Sequence, residues 1–174
     1  MTVTPPSACL RFVQRICRSF QSFSGHDAVT IPQLKINNAR PGFVAGTFTI
    51  GKHNVNRLGS LHGGCIATLT DTMGSLAIAS KGLYSTGVST DINTTYVKTA
   101  GTAGSTINVQ AHLISMGKTL AFTRVELLHQ ESNQLLAYGS HTKYIKGAIR
   151  DAENVTFDSD GQNVLEGKQP DEWK

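Results

Sequence analysis

The sequence predicts an α+β fold in which an antiparallel sheet packs on one long central helix. Three observations lead there. Past the first 24 residues, only the run Leu61–Ser80 sustains apolar side chains at helical spacing. Around it, six segments alternate apolar and polar residues as half-buried strands do. The last three strands are joined by short polar turns, "SMGKT" and "QESNQ", and successive hairpins build antiparallel sheets.

The elements follow in order. In residues 1–24, Leu10, Val13, Cys17 and Phe20 fall at helical spacing, with Arg11, Arg15 and Arg18 on another face and no acid anywhere. Two readings stay open: a surface helix packed on the domain, or a mitochondrial targeting segment, since such segments are amphipathic, Arg-rich and poor in acids. The main domain is expected over residues 25–147. Within "AVTIPQLKINNARPGFVAGTFTI", the stretch Asn37–Gly42 with its Pro41-Gly42 pair marks a turn between two strands. In the second, Val44, Gly46, Phe48 and Ile50 alternate with Ala45, Thr47 and Thr49. The helix comes next, then strands over Gly87–Val97, Thr106–Ser115, Leu120–Leu128 and Leu135–Ile145. The resulting order is β-β-α-β-β-β-β, without internal repeats. Residues 148–174 read as a polar, acidic, disordered tail.

Composition narrows the function. The net charge of +4 conceals an uneven distribution: residues 1–148 hold 13 Lys and Arg against 5 Asp and Glu, and residues 149–174 hold 3 against 7. A basic body suits a polyanionic partner. It carries no zinc-finger spacing, no aromatic-and-basic RNA signature and no dense Lys/Arg run, so nucleic acid is not expected, and a phosphate-bearing small molecule fits the charge. No apolar stretch approaches the roughly 20 residues of a membrane span. Cys9, Cys17 and Cys65 show no metal-ligand spacing and no even framework. Free thiols in a reducing compartment, cytoplasmic or mitochondrial, are expected, with no metal.

Asp71 is the informative residue. Between Leu58 and Ser80 it is the only formally charged side chain. Ile66, Leu69, Met73 and Leu76 form a core stripe, and the other face carries Ala67, Thr68, Asp71, Gly74 and Ser75, small rather than charged. A buried, unpartnered carboxylate costs several kcal/mol. Either Asp71 pairs with a distant Arg or accepts hydrogen bonds from Thr68 or Ser75, or it is a general base in a partly desolvated cleft. At the helix start, His62-Gly63-Gly64 leaves amides without intrahelical partners at the positive end of the helix dipole, able to hold a developing oxyanion. Close packing alone would also explain the glycines. Gly63 and Asp71 are eight residues apart on one helix, roughly 12 Å. A base must lie within about 3 Å of its proton. If the two cooperate, Asp71 must come from a second copy of the helix running antiparallel across a two-fold axis, which predicts at least a dimer.

Asn56-x-x-Gly59-x-x-His62-Gly63-Gly64, with Asp71 eight residues after Gly63 and "GVSTDINTTYV" downstream, resembles the hotdog-fold acyl-CoA thioesterases, of the phenylacetate-pathway type, over roughly residues 8–147. The resemblance implies a curved antiparallel sheet wrapped around one long helix, dimers that pair into tetramers, and hydrolysis of acyl-CoA to free acid and coenzyme A. No cofactor is implied beyond the coenzyme A of the substrate. In that likeness the Gly63 amide polarises the thioester carbonyl, and Asp71 of the opposing subunit is the general base or, alternatively, a nucleophile. Asn56 and His62 shape the site, and Ser89 holds the water or Asp71. Tyr96, the turn Ser115, Met116, Gly117, Lys118, Thr119, Leu120, and Tyr144 match positions near coenzyme A. In that turn Gly117 would allow a tight backbone, while Lys118 and Thr119 offer donors to phosphate. An ordinary hairpin with a solvated lysine is the alternative. There is one departure: after Tyr96 the family often has a proline before a small residue, whereas this chain reads "VKTAGTAG".

Two further alternatives are weighed. A Cys65–His62 nucleophile is conceivable, because a helix N-terminus lowers a thiol pKa, but a buried, inert cysteine is expected, and there is no G-x-S-x-G elbow. A non-catalytic acyl-CoA-binding or scaffold module could use the same fold. The joint presence of Asp71, Asn56 and Ser89 favours the enzyme.

Overall fold

The computed structural model describes residues 5–173. Helix α1 (Ala8–Ser22) opens on Ser7, whose hydroxyl accepts the Leu10 amide, and buries Cys9, Phe12, Val13, Ile16 and Cys17. Its Gln14 and Gln21 amides donate to the carbonyls of Ile36 and Leu34, each at 2.9 Å, so the helix covers the outer edge of strand β1 (Leu34–Arg40). A short α2 (His26–Thr30) follows α1. Strand β1 pairs with β2 (Phe43–Thr49). The turn between them is narrower than the sequence suggests. A bulge between Ile36 and Asn38 absorbs the polar Asn37 and keeps the strand running to Arg40, so only Pro41 and Gly42 turn. Gly42 has φ +85°, which a side chain would disfavour.

Helix α3 (Gly63–Ala79) is the central element. It is buried nearly all round because its polar residues find partners within the fold. Thr68 and Thr70 donate to the carbonyls of Gly64 and Ile66, one turn back, each at 3.0 Å. The remaining strands, β3 (Val88–Tyr96), β4 (Thr106–Met116), β5 (Leu120–His129) and β6 (Leu135–Tyr144), complete an antiparallel sheet ordered β1-β2-β4-β5-β6-β3. The curved sheet wraps α3, which packs against β2 to β6. Its two edges differ: β1 is covered by α1, while β3 lies bare, with Val88 64%, Ile92 40% and Tyr96 54% exposed.

The tail differs from expectation. Instead of being disordered, it forms a hairpin, β7 (Thr156–Phe157) with β8 (Val164–Glu166), folded back on α1. Phe157 and Trp173 stack edge-on against Phe12, at 5.7 and 5.2 Å between ring centres, and Val155 and Val164 join the main core. The acids expected to keep this segment solvated serve as counterions instead: Glu153 pairs with Arg15 at 2.9 Å and Asp171 with Arg11 at 3.2 Å. The proposed boundaries near residues 25 and 147 therefore do not divide the packing, since α1, the sheet and the tail share one core. Among the described residues no helix is long and apolar enough to cross a membrane.

Candidate functional site

The start of α3 is shaped by His62, whose Nδ1 accepts the Gly64 amide at 2.9 Å as an N-terminal cap. The Gly63 amide, next to it, has no acceptor among the described residues. Gly63 borders an open cleft of about 520 Å³ together with Asn56, Ile66, Tyr96 and Lys98. Tyr96 Oη donates to the Gly63 carbonyl at 3.1 Å. Asn56 staples its own loop: Oδ1 accepts the amides of Leu58 (2.9 Å) and Ser60 (3.3 Å), and Nδ2 donates to Ser60 Oγ at 2.9 Å. His62 faces a separate hollow of about 300 Å³, which it shares with His26 and His53.

Asp71 lies two turns along α3. It meets neither an arginine nor Thr68 nor Ser75; its Oδ1 is 3.5 Å from Nε2 of His141, a ring wholly out of solvent, and its own side chain is 46% exposed. The same Nε2 lies 2.9 Å from Ser89 Oγ. His141 thus ties Ser89, on β3, to Asp71, on the helix. Burial pushes the His141 pKa down; the Asp71 carboxylate opposes this, Lys143 adds to it, and the Asp71 carbonyl and Asp91 oppose it weakly, leaving it at about 4. The imidazole is therefore neutral at physiological pH. It fits beneath the helix because residue 74 is glycine: a Cβ there would sit 2.9 Å from His141 Nδ1 and 2.7 Å from Thr123 Oγ1.

Beyond His141 on β6, Lys143 is also buried, its Nζ 2.6 Å from Ser75 Oγ and 3.3 Å from Thr86 Oγ1. Neither residue was among the expected site residues, although the sequence carries a signal for both. In "LLAYGSHTKYI" the buried parity of the strand runs Ala137, Gly139, His141, Lys143, so two titratable groups occupy core positions.

The turn from Ser115 to Leu120 is an exposed hairpin closed by the Gly117 amide on the Leu120 carbonyl at 2.9 Å. Gly117 does not have a positive φ, and a Cβ there would meet only that carbonyl, at 3.9 Å, so the backbone does not require a glycine. Lys118 and Thr119 project into solvent, and Tyr144 stands beside the turn, paired across the sheet with Leu120 and with Val88.

The predicted residues therefore fall into two groups. Asn56, His62, Gly63 and Tyr96 gather at the start of α3. Asp71, Ser89, the 115–120 turn and Tyr144 gather toward its other end. Strand β3 spans them, with Tyr96 opposite Ala137 and Val88 opposite Tyr144. Eight residues of strand, roughly 26 Å, separate its ends. One chain does not bring the two groups together.

Cys65 is no nucleophile. It is buried beside Asn54, and burial pushes its thiol up to about 11, while Cys9 and Cys17 are pushed to about 12. Burial outweighs any help from the helix dipole. Among the described residues no cluster of His, Cys, Asp and Glu could hold a metal ion.

Comparisons with known proteins agree with this architecture. The sequence pattern of a family described as the thioesterase superfamily matches residues 58–136. A putative esterase of Schizosaccharomyces pombe is 44% identical over 145 residues, covering 83% of this chain and 89% of that protein. Acyl-coenzyme A thioesterase 13 of Homo sapiens is 37% identical over 113 residues, covering 65% of this chain and 80% of its own. Among solved structures, zebrafish thioesterase superfamily member 2 superposes with a TM-score of 0.72 at 34% identity, covering 78% of this chain and 96% of that one. The fold and these relatives agree: the chain belongs to the thioesterase superfamily.

Proposed function

We propose that the protein hydrolyses acyl-CoA thioesters to a free carboxylic acid and coenzyme A, at two equivalent sites formed between the copies of a homodimer. The separation of the two residue groups along α3 and β3 carries this reading. A two-fold axis through the bare β3 edge, with the α3 helices antiparallel, sets the Gly63 group of one copy against the Asp71 group of the other. The one stripe of α3 that is not fully buried suits such an approach, because Gly63, Gly64 and Ala67 are small and lead directly to Asp71. Pairing of two such dimers into a tetramer is part of the same proposal.

In this arrangement the Gly63 amide polarises the thioester carbonyl, the cleft lined by Asn56 and Tyr96 receives the group around it, and His62 holds the start of the helix by capping Gly64. The Asp71 carboxylate of the second copy removes a proton from water as its oxygen attacks the carbonyl carbon. The oxyanion gathers at the Gly63 amide and the positive end of α3. Collapse breaks the C–S bond, and the proton passes from Asp71 to the departing thiolate. His141 and Ser89 hold the carboxylate and the water. Lys118, Thr119 and Tyr144 stand on the Asp71 side, where the nucleotide of coenzyme A would lie. Water is the only co-reactant. The buried, unpaired thiols suit a reducing compartment, cytoplasmic or mitochondrial.

Asp71→Asn tests the chemistry while keeping the shape. General-base catalysis contributes about 10²–10⁴-fold. Thiol release over a panel of acyl-CoA substrates should show a kcat loss of that order, with coenzyme A affinity unchanged. Coenzyme A binding without thiol release by the wild-type chain would instead identify a non-catalytic acyl-CoA-binding module.

A further inference from the structure

Lys143 is the least expected side chain in the molecule. It is 5% exposed, yet no carboxylate lies within ion-pair distance of its ammonium among the described residues. Its partners are two hydroxyls, Ser75 Oγ on α3 and Thr86 Oγ1 in the segment before β3. Removing an ammonium from water without a carboxylate beside it costs several kcal/mol, and a methionine would fill the same space without that cost. Burial accordingly holds the Lys143 pKa below the usual lysine range, and Asp71, then Asp27, pull it back.

The placement explains why a charge belongs there. Lys143 follows His141 by two residues on the inward face of β6, and Ser75 follows Asp71 by one turn of α3. The ammonium thus sits behind the pair that His141 and Asp71 form. The charged and titratable groups around this pair are few. Asp71 faces it from α3, Asp91 from β3, and Lys143 from its own strand. Asp27, on α2, accepts a hydrogen bond from Thr72 at 3.0 Å and acts on Lys143. A carboxylate 3.5 Å from an imidazole favours imidazolium, which would neutralise the carboxylate and weaken it as a base. A second positive charge close by opposes that. The Ser75–Lys143 spacing also matches a nucleophilic Ser–Lys pair, but Ser75 is buried and no substrate carbonyl can reach it. Lys143 therefore acts through its field rather than by contact.

We propose that Lys143 is an electrostatic positioning residue for hydrolysis, keeping His141 uncharged so that it orients Ser89 and Asp71 without neutralising the Asp71 carboxylate. This rests on the reading of Asp71 as the base. The test replaces the charge in two ways, Lys143→Met and Lys143→Gln, with Lys143→Arg as the charge-retaining control. The ring of His141 is titrated by NMR in each. In both neutral variants its midpoint should rise by about one pH unit or more, and the acid limb of the kcat/KM profile should move up with it while KM holds. Lys143→Arg should keep both near their wild-type positions. A lysine that only fills space would leave the His141 midpoint where it was in both neutral variants, and that result overturns the proposal. The NMR midpoint also separates the two readings. If the wild-type chain releases no thiol from any acyl-CoA, the proposed function fails, and the titration still decides whether Lys143 controls His141.

Discussion

Asp71 escapes the cost of an unpaired buried acid because nearly half of its side chain stays in water, and the strain moves one layer inward to His141. That ring is neutral when folded, with a pKa of about 4 against an ordinary 6.5. Between those values the unfolded chain binds a proton that the folded chain does not. The contribution of His141 to stability is therefore fully present above about pH 6.5 and is lost as pH falls towards 4, on the order of 3 kcal/mol in all. Thermal melts across this range should show the loss in the wild type and a flatter slope in His141→Gln. Glu126, held below its usual range chiefly by Arg124, adds its own acid loss to both proteins and so cancels in the comparison. Equal slopes would show that His141 is not buried neutral. At this scale the sequence exposed Asp71, because an acid without a nearby base stands out in an apolar helix. It hid His141 and Lys143, because a strand was recognised by its alternation and the chemistry of its inward positions was not questioned.

The helix and strands were largely legible because each has a clear period. α3 begins at Gly63 rather than Leu61, since His62 acts as its cap, and the strands after β1 lie within two residues of their expected spans, while β1 runs on to Arg40 through the stretch expected to turn. The tail was not legible, because acidic composition hides what Phe157 and Trp173 do once Phe12 is within reach. The face of α3 was read only in part. Gly74 stands among its small residues, yet it faces the sheet and leaves room for His141 rather than for a second copy. Gly74→Ala should then behave as overpacking against His141 and Thr123, costing about 1–3 kcal/mol by denaturant unfolding, and, if Asp71 is the base as proposed, lowering kcat as His141 shifts. Alanine is the better helix former, so a gain in stability would mean that the contacts of 2.7 and 2.9 Å relax freely.

For the whole molecule, the two sheet edges carry the argument. Bare edges invite pairing, and proteins usually cover or charge them. Here α1 covers β1 through Gln14 and Gln21, while β3 presents Val88, Ile92 and Tyr96 to solvent between the two residue groups. A second copy paired at β3 would cover that edge and complete both sites together, so assembly and activity should be inseparable. Mixed dimers test this. Asp71→Asn damages one group, and Asn56→Ala, which unpins the Asn56–Ser60 loop beside Gly63, damages the other. Each variant alone should be nearly inactive. After unfolding and refolding together in equal amounts, half of the dimers should be mixed, and each should hold one site with both groups intact. Recovery of about a quarter of the wild-type rate is expected. Sedimentation equilibrium on the same sample establishes that dimers have formed, and mass spectrometry of intact complexes counts the mixed ones. Verified mixed dimers without recovered activity would place Asp71 and Gly63 in separate sites, and a fully active monomer would remove the need for a second copy.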